Sequence, residues 1–202
     1  MPSKTFYNLS EKKKKKIILA AKEEFSKKLY QEASLNQIIK ESNISRGSFY
    51  MYFNDKEELY FYLLDEYKSK FEKIIRNTIE KNNGEVFSSF QEFFSIISII
   101  LKDKNYEFEK NIFKNMNYFI ENQLLKKEPD SISEDYIYEY IDKEKLVLTK
   151  KEEILHLLHI IIMLSINNLT RLIHNPDDSE IVKKFYNDQL LLLKKAFYKG
   201  GK

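Results

Sequence analysis

Cysteine and tryptophan are absent from these 202 residues, and there are only four glycines and three prolines. Without a thiol the chain has no disulfide, no thiolate nucleophile and no cysteine-based metal site. So few turn-forming residues cannot serve the many reversals of an all-β domain. A secretory leader is not predicted either, because the lysine run Lys12–Lys16 is followed by only five apolar residues, Ile17 to Ala21. The longest stretch free of acidic and basic residues, Ile154 to Thr170, holds two His and two Asn. It falls short of the ~20 apolar residues of a membrane span. These absences predict a cytoplasmic protein. With no glycine-rich phosphate loop and no carboxylate–histidine cluster, they also predict that it is not an enzyme and carries no cofactor.

What is present is helical material. Hydrophobic residues make up 43% and charged residues 32%, enough apolar surface to drive a core and enough charge to dress it. Lys, Glu, Leu and Ile recur at spacings of three and four, which predicts an all-α fold of about nine helices. Charge is divided unevenly. Residues 1–56 carry 12 Lys/Arg against 6 Asp/Glu, a net +6, whereas residues 57–202 carry 22 against 25, a net −3. A basic head on a mildly acidic body suits a nucleic-acid-binding domain joined to something else, although a lysine-rich surface alone also gives such a figure.

The first predicted helix opens at Ser10, with Ile18, Ala21, Phe25 and Leu29 as its apolar face. Its Lys12–Lys16 run is either a solvated face or a cluster close to phosphates. Ser34-Leu35-Asn36-Gln37 then reads as a capping box, with Gln37 reaching back to Ser34. This helix stops at Ser42-Asn43, Asn being tolerant of the left-handed conformation. Ser45 caps a further helix, Arg46 to Phe53, and Asp55 caps a long one marked by Leu59, Leu63, Tyr67, Phe71, Ile74 and Thr78. Helices are expected at Val86–Leu101, Tyr106–Lys127, Lys150–His174 and Ser179–Tyr198, with Ser131–Ile141 ambiguous.

Two short capped helices joined by a tight turn, over about residues 33–53, form a helix-turn-helix pattern. The second helix would direct Arg46, Ser48 and Met51 outward and Phe49 and Phe53 inward. An arginine at the start of such a helix can give two hydrogen bonds to guanine, and Gly47 would let the backbone approach DNA closely. Ser45 closes the turn beside it, while Tyr50, Tyr52 and Lys56 are donors suited to flanking phosphates.

The segment from Ser34 to Leu59 (Ser-Leu-Asn-Gln-Ile-Ile-Lys-Glu-Ser-Asn-Ile-Ser-Arg-Gly-Ser-Phe-Tyr-Met-Tyr-Phe-Asn-Asp-Lys-Glu-Glu-Leu) resembles the signature of the TetR (tetracycline-repressor) family. Ala20, Ala21 and Phe25 match that family's first-helix pattern, so the likeness spans roughly residues 10–70. Leu29, Ile39 and Asn43 depart from it, standing where the family has Gly, Ala and Gly. The resemblance implies a homodimeric repressor that binds a palindromic operator and is released by a small molecule. It implies groove contacts from Arg46, Gly47 and Ser48, and backbone contacts from Ser34, Asn36, Tyr50, Tyr52 and Lys56. An activator or an architectural DNA-binding protein without a ligand is the alternative. The domains expected are a helix-turn-helix domain over 9–55 and a helical ligand-binding and dimerisation domain over 56–202, with helix 56–81 connecting them.

The body is harder to read, because aromatic residues at helical spacing are more often simply core than a cavity lining. Tyr67, Phe71, Phe93, Phe94, Phe113 and Phe119 are the expected lining of a ligand pocket, with Met163 and the polar His159, Asn167 and Asn168. Such a lining suits an apolar or cationic effector. His156 and His159 share a helix face, but with no third ligand nearby a metal site is not expected. Apolar residues on more than one side of the last two helices, including Leu158, Ile162, Phe185 and Leu192, suggest a four-helix dimer interface.

Overall fold

The computed structural model describes residues 1–103, 106–115 and 134–200. Among them lie ten α-helices and short 3₁₀ turns; the only β pairing is an isolated bridge between Leu146 and Tyr198. Helix termini are set by local chemistry. Helix α1 (Lys4–Tyr7) starts at Ser3, whose side chain accepts the Phe6 N–H, and α2 covers Glu11–Lys27. Helix α3 (Leu35–Ser42) ends where Asn43 turns left-handed at φ 54°, ψ 48°. Helix α4 (Arg46–Tyr52) is capped by Ser45. Helix α5 (Lys56–Lys81) follows, with Asp55 accepting the Glu58 N–H at 2.7 Å. Then come α6 (Val86–Ile100), α7 (107–115), α8 (Glu134–Tyr140), α9 (Lys151–His174) and α10 (Ser179–Phe197).

The all-α expectation is met, and α1 is the helix that periodicity missed, being too short to show a period. The buried stripe of α2 is Ile17, Ala20, Ala21, Glu24 and Phe25. Ile18 is only half-buried, and Leu29 lies beyond the helix end and is exposed, because α2 stops at Lys27.

Two compact units are present, one of Met1–Ser69 with Asn105–Asn117 and one of Lys70–Lys104 with Tyr118–Lys202. In the first unit Phe6, Ile17, Phe25, Ile38, Phe49, Phe53, Leu59 and Leu63 are all but inaccessible and form the core. In the second, α6, α9 and α10 pack around Phe90, Phe94, Leu157, Leu158, Ile161 and Tyr186. The Tyr186 ring stacks on Phe94 at 4.0 Å, and its hydroxyl meets Ser165 Oγ at 2.8 Å. Helix α9 is long and apolar enough to cross a membrane, yet Ile154, Leu157, Leu158, Ile161, Leu169 and Leu172 are buried within this unit.

One glycine in the second unit is obligatory. Gly84 sits at φ +78°, and a Cβ there would stand 2.7 Å from both the backbone nitrogen and Cβ of Asp142. The close approach lets the Asp142 N–H donate to the Gly84 carbonyl at 2.9 Å.

Candidate nucleic-acid interface

Helices α3 and α4 are each held at the N-terminus by a serine. Ser34 Oγ accepts the Gln37 N–H at 3.3 Å and Ser45 Oγ accepts the Ser48 N–H at 3.0 Å. The return limb of the capping box differs from expectation. Gln37 donates to Glu41 at 2.9 Å, and the Ser34 N–H goes instead to Glu24 Oε1 at 2.8 Å. Glu24 is buried, which works against its charge. The Ser34 N–H and the Lys28 ammonium (2.9 Å) outweigh that burial and hold the carboxyl below its ordinary range. An acid on the apolar face of α2 gave no sequence signal, since its partner lies ten residues on in a turn.

The outward side of α4 carries Arg46, Gly47, Tyr50 and Met51, with Ser48 half-buried at the edge, bonded through its hydroxyl to Ser45 Oγ at 2.8 Å. Met51 is 60% exposed although large and apolar. Arg46 Nη1 donates to Asn36 Oδ1 at 2.7 Å, Nη2 reaches the Tyr50 hydroxyl at 3.4 Å, and the guanidinium lies 5.7 Å from the Tyr50 ring centre. The arginine is therefore braced between α3 and α4 at the surface, its fork turned toward solvent-exposed partners. A Cβ on Gly47 would find only Ser45 Oγ, at 3.9 Å. Nothing inside the protein asks for glycine there.

The inward side is Phe49, Tyr52 and Phe53, all buried. Tyr52 was expected to reach a phosphate, and its burial removes it from that role. The cause is α1, which covers it: Phe6 packs 4.7 Å from Phe53 and 6.3 Å from Tyr52, ring centre to ring centre. Ser3 donates its N–H to Tyr52 O at 2.9 Å and its hydroxyl to Met51 O at 2.6 Å, satisfying carbonyls at the C-terminal end of α4. Ser3 and Phe6 give no signal in the sequence, where a lone Ser-x-x-Phe is too common to stand out.

Lys56 is likewise occupied. Its ammonium donates to Tyr30 O at 2.7 Å and Ala33 O at 2.9 Å and lies 4.6 Å from the Tyr30 ring centre. Burial lowers its pKa, with Glu24 opposing. These donors serve the 30–33 turn, so Lys56 is a tie within the fold rather than a free phosphate ligand. Lys12, Lys13, Lys15 and Lys16 are exposed on α2, while Lys14 pairs with Glu11 at 2.9 Å.

The expected pocket residues divide between the two units. Tyr67 and Phe113 are buried in the first unit, Tyr67 5.0 Å from Phe108. Phe93 and Phe94 are core residues of the second, Phe71 and Met163 are half-buried, and Phe119 lies outside the described residues. His159 and Asn167 face outward, the His159 Nδ1 2.7 Å from Glu134 Oε1. The neighbouring Asn168 is the one turned inside, where it donates to Leu164 O at 2.9 Å and Gln189 Oε1 at 3.0 Å. A cavity of about 300 Å³ lies between α6 and α10, with Phe87, Gln91, Leu190, Leu191 and Lys194 among its walls and none of the expected residues. Among the described residues no group of three or more His, Asp or Glu could hold a metal ion.

The residues expected at a dimer interface also divide. Leu158 is inaccessible inside the protomer, which excludes it. Ile162 is half-buried, Phe185 and Leu192 are exposed, and Ile160, Ile181 and Leu191 join them on the outer surfaces of α9 and α10.

A capped helix, a left-handed turn and a second capped helix with an aromatic inner face and an arginine-bearing outer face make a helix-turn-helix. In an all-α chain this defines the class of DNA-binding transcription regulators. Residues 17–63 match the model of bacterial regulatory proteins of the tetR family, and residues 85–196 match the tetracyclin repressor-like C-terminal domain. The chain belongs to the TetR family. It is 30% identical over 63 residues to YdgC of Bacillus subtilis (strain 168), an uncharacterised HTH-type transcriptional regulator; the match spans 31% of this chain and 32% of YdgC. Its fold is similar to that of a TetR-family regulator from Chloroflexus aurantiacus J-10-FL (TM-score 0.52, 16% identity, 98% and 99% of the two chains covered). It is similar also to that of a TetR-family regulator from Mesorhizobium loti MAFF303099 (TM-score 0.58, 16% identity, 93% and 98% covered).

Proposed function

We propose that the protein is a cytoplasmic, homodimeric repressor that binds a palindromic operator and is released from it by a small apolar or cationic molecule. The observation that carries this reading is the outer face of α4, where Arg46 is braced by Asn36 and Tyr50 beside a glycine that the fold does not need. Arg46, Ser48 and Met51 meet base edges, and Gly47 admits the DNA backbone. Ser34, Asn36, Ser45 and Tyr50, together with the exposed lysines of α2, meet sugar and phosphate. Residues 9–55 act as the reading head with α1 as its brace, and residues 56–202 as the regulatory and dimerising part. Two copies joined through Phe185, Leu192 and Ile162 would place two recognition helices on successive turns of the groove. The protein acts by binding alone and is not an enzyme.

The test is a gel-shift titration of the purified protein on DNA upstream of its own gene, at salt from about 50 to 200 mM. Specific binding should weaken steeply with salt, since log K falls by about 0.9 per phosphate neutralised for each tenfold rise in salt. Absence of salt-sensitive binding to any fragment of that region would remove the reading.

A further inference from the structure

Helix α7 lies among the residues matched by the C-terminal family model, yet it folds into the same unit as the helix-turn-helix. The chain on both sides of the Asn105–Asn117 segment belongs to the other unit. Three polar side chains of α7 are buried: Glu109, Asn111 and Asn115. A buried amide is costly unless bonded, and both amides are bonded to the same place. Asn111 Nδ2 lies 2.8 Å from Phe25 O, 3.0 Å from Ser26 O and 3.4 Å from Lys28 O. These are the carbonyls left without partners where α2 ends. Asn115 Oδ1 accepts the Tyr30 N–H at 3.3 Å, and its Nδ2 donates to Asn111 O at 2.7 Å. Phe108, on the same helix, packs against Phe25, Tyr60 and Tyr67.

The turn gripped in this way is the one that Lys56 ties through Tyr30 O and Ala33 O, and it runs directly into Ser34, the cap of α3. We propose that Asn111 and Asn115 are positioning residues for DNA binding, through which α7 fixes the end of α2 and the 28–33 turn and so sets the seat of the helix-turn-helix. A displacement of α7 by roughly 1 Å would stretch the Asn111 bonds beyond hydrogen-bond range. The inference rests on the DNA-binding reading above.

The same substitution at the two positions separates this from simple packing. At 111 the amide only donates, so Asn111→Asp turns an acceptor toward three acceptors. At 115 the oxygen accepts the Tyr30 N–H while the amide nitrogen faces Asn111 O, and the Tyr60 hydroxyl meets the same side chain. Asn115→Asp therefore keeps the bond to the turn and sets its new oxygen against groups other than the end of α2. In the full chain, Asn111→Asp should weaken binding to the upstream DNA by about tenfold or more. It should also speed amide exchange at residues 28–34 ahead of the rest of the unit. Asn115→Asp buries the same carboxylate but keeps the bond to Tyr30, so exchange at residues 28–34 should stay closer to wild type than in Asn111→Asp. Asn111→Gln, which keeps the donor, should recover most of the affinity. Lowering the pH should partly restore Asn111→Asp as its carboxyl gains a proton to donate. If Asn111→Asp does not fold, Asn111→Leu against Asn111→Gln carries the same contrast.

Wild-type affinity and exchange in Asn111→Asp, or equal losses in Asn111→Asp and Asn111→Gln, would overturn the proposal. Should the wild type bind no upstream DNA, the DNA-binding reading fails. The exchange contrast, measured without DNA, then decides by itself whether the amides hold the turn.

Discussion

Helices α4 and α9 pose the same question, which side faces in, and answer it in different ways. The seven residues of α4 have two chemically distinct sides: Phe49 and Tyr52 within, Arg46, Gly47 and Tyr50 without. Helix α9 is apolar through its middle, where Leu157 to Leu164 is broken only by His159. There Leu158 is fully buried while Ile160, two residues on, is 45% exposed, and Asn168 is buried while Asn167 is exposed. A helix whose faces differ in polarity announces its orientation. One whose middle is apolar on every side leaves orientation there to its neighbours.

Six substitutions would break or sharpen this contrast, the largest expected effect first. Leu158→Ala should destabilise the protomer by about 2–5 kcal/mol in chemical denaturation, the usual cost of a core cavity. By contrast, Leu192→Lys, at a position 67% exposed, should change protomer stability by less than about 0.5 kcal/mol and shift sedimentation toward a monomer. A dimer that survives Leu192→Lys would put the interface elsewhere than on α10.

On α4, Arg46→Ala should leave the melting temperature unchanged and weaken operator binding by about 1–3 kcal/mol, with relaxed choice at one base pair per half-site. Equal loss on every DNA sequence would mean that Arg46 touches phosphate.

Glu85 caps α6, accepting the Phe87 N–H at 2.8 Å, the Ser88 N–H at 3.0 Å and the Lys194 ammonium at 2.8 Å. Burial opposes its charge, but Lys194, Ser88 and the two backbone donors outweigh burial and lower its pKa. A depressed carboxylate stabilises the fold above its free value of about 4.3 and loses that contribution as pH falls through the folded value. Glu85→Gln should therefore cost about 1–2 kcal/mol at pH 7 and progressively less toward pH 3; a gap independent of pH would contradict the assignment.

Gly47→Ala should raise stability by about 0.5–1 kcal/mol, as helical glycines do when replaced, while lowering DNA affinity. If affinity holds, the DNA backbone does not approach there. Smallest is the effect of Lys56→Met on salt dependence. With the ammonium already spent on Tyr30 and Ala33 carbonyls, the slope of log K against log salt should not change. A slope smaller by about one unit would restore Lys56 to the phosphates.

Much of the reading head was legible because its signals are local. Ser34, Asn43, Ser45 and Asp55 act within a few residues of themselves, through a cap bond or a left-handed φ, and each does so in the folded chain. The failures within the same unit share one property. Tyr52 was misplaced because its cover comes from Phe6, 46 positions earlier, and Lys56 because its acceptors lie in the 30–33 turn. Glu24, Asn111 and Asn115 were missed because their partners are remote in sequence or on another helix. In the body, Leu158 and Asn167 lie on the side of α9 opposite to that expected because Ile160 and Asn168 beside them are of the same character, whereas the exposed His159 follows its own polarity.

The sequence by itself determined that the chain is helical, where most helices start and stop, and which face of α4 is offered to a partner. These follow from capping, periodicity and backbone conformation, all short-range. Only the tertiary structure decided that α1 braces α4, that Lys56 ties a turn, that α7 belongs with the reading head, and which sides of α9 and α10 are left open. Each of these depends on which distant segments meet, and side-chain chemistry along one helix carries no record of that.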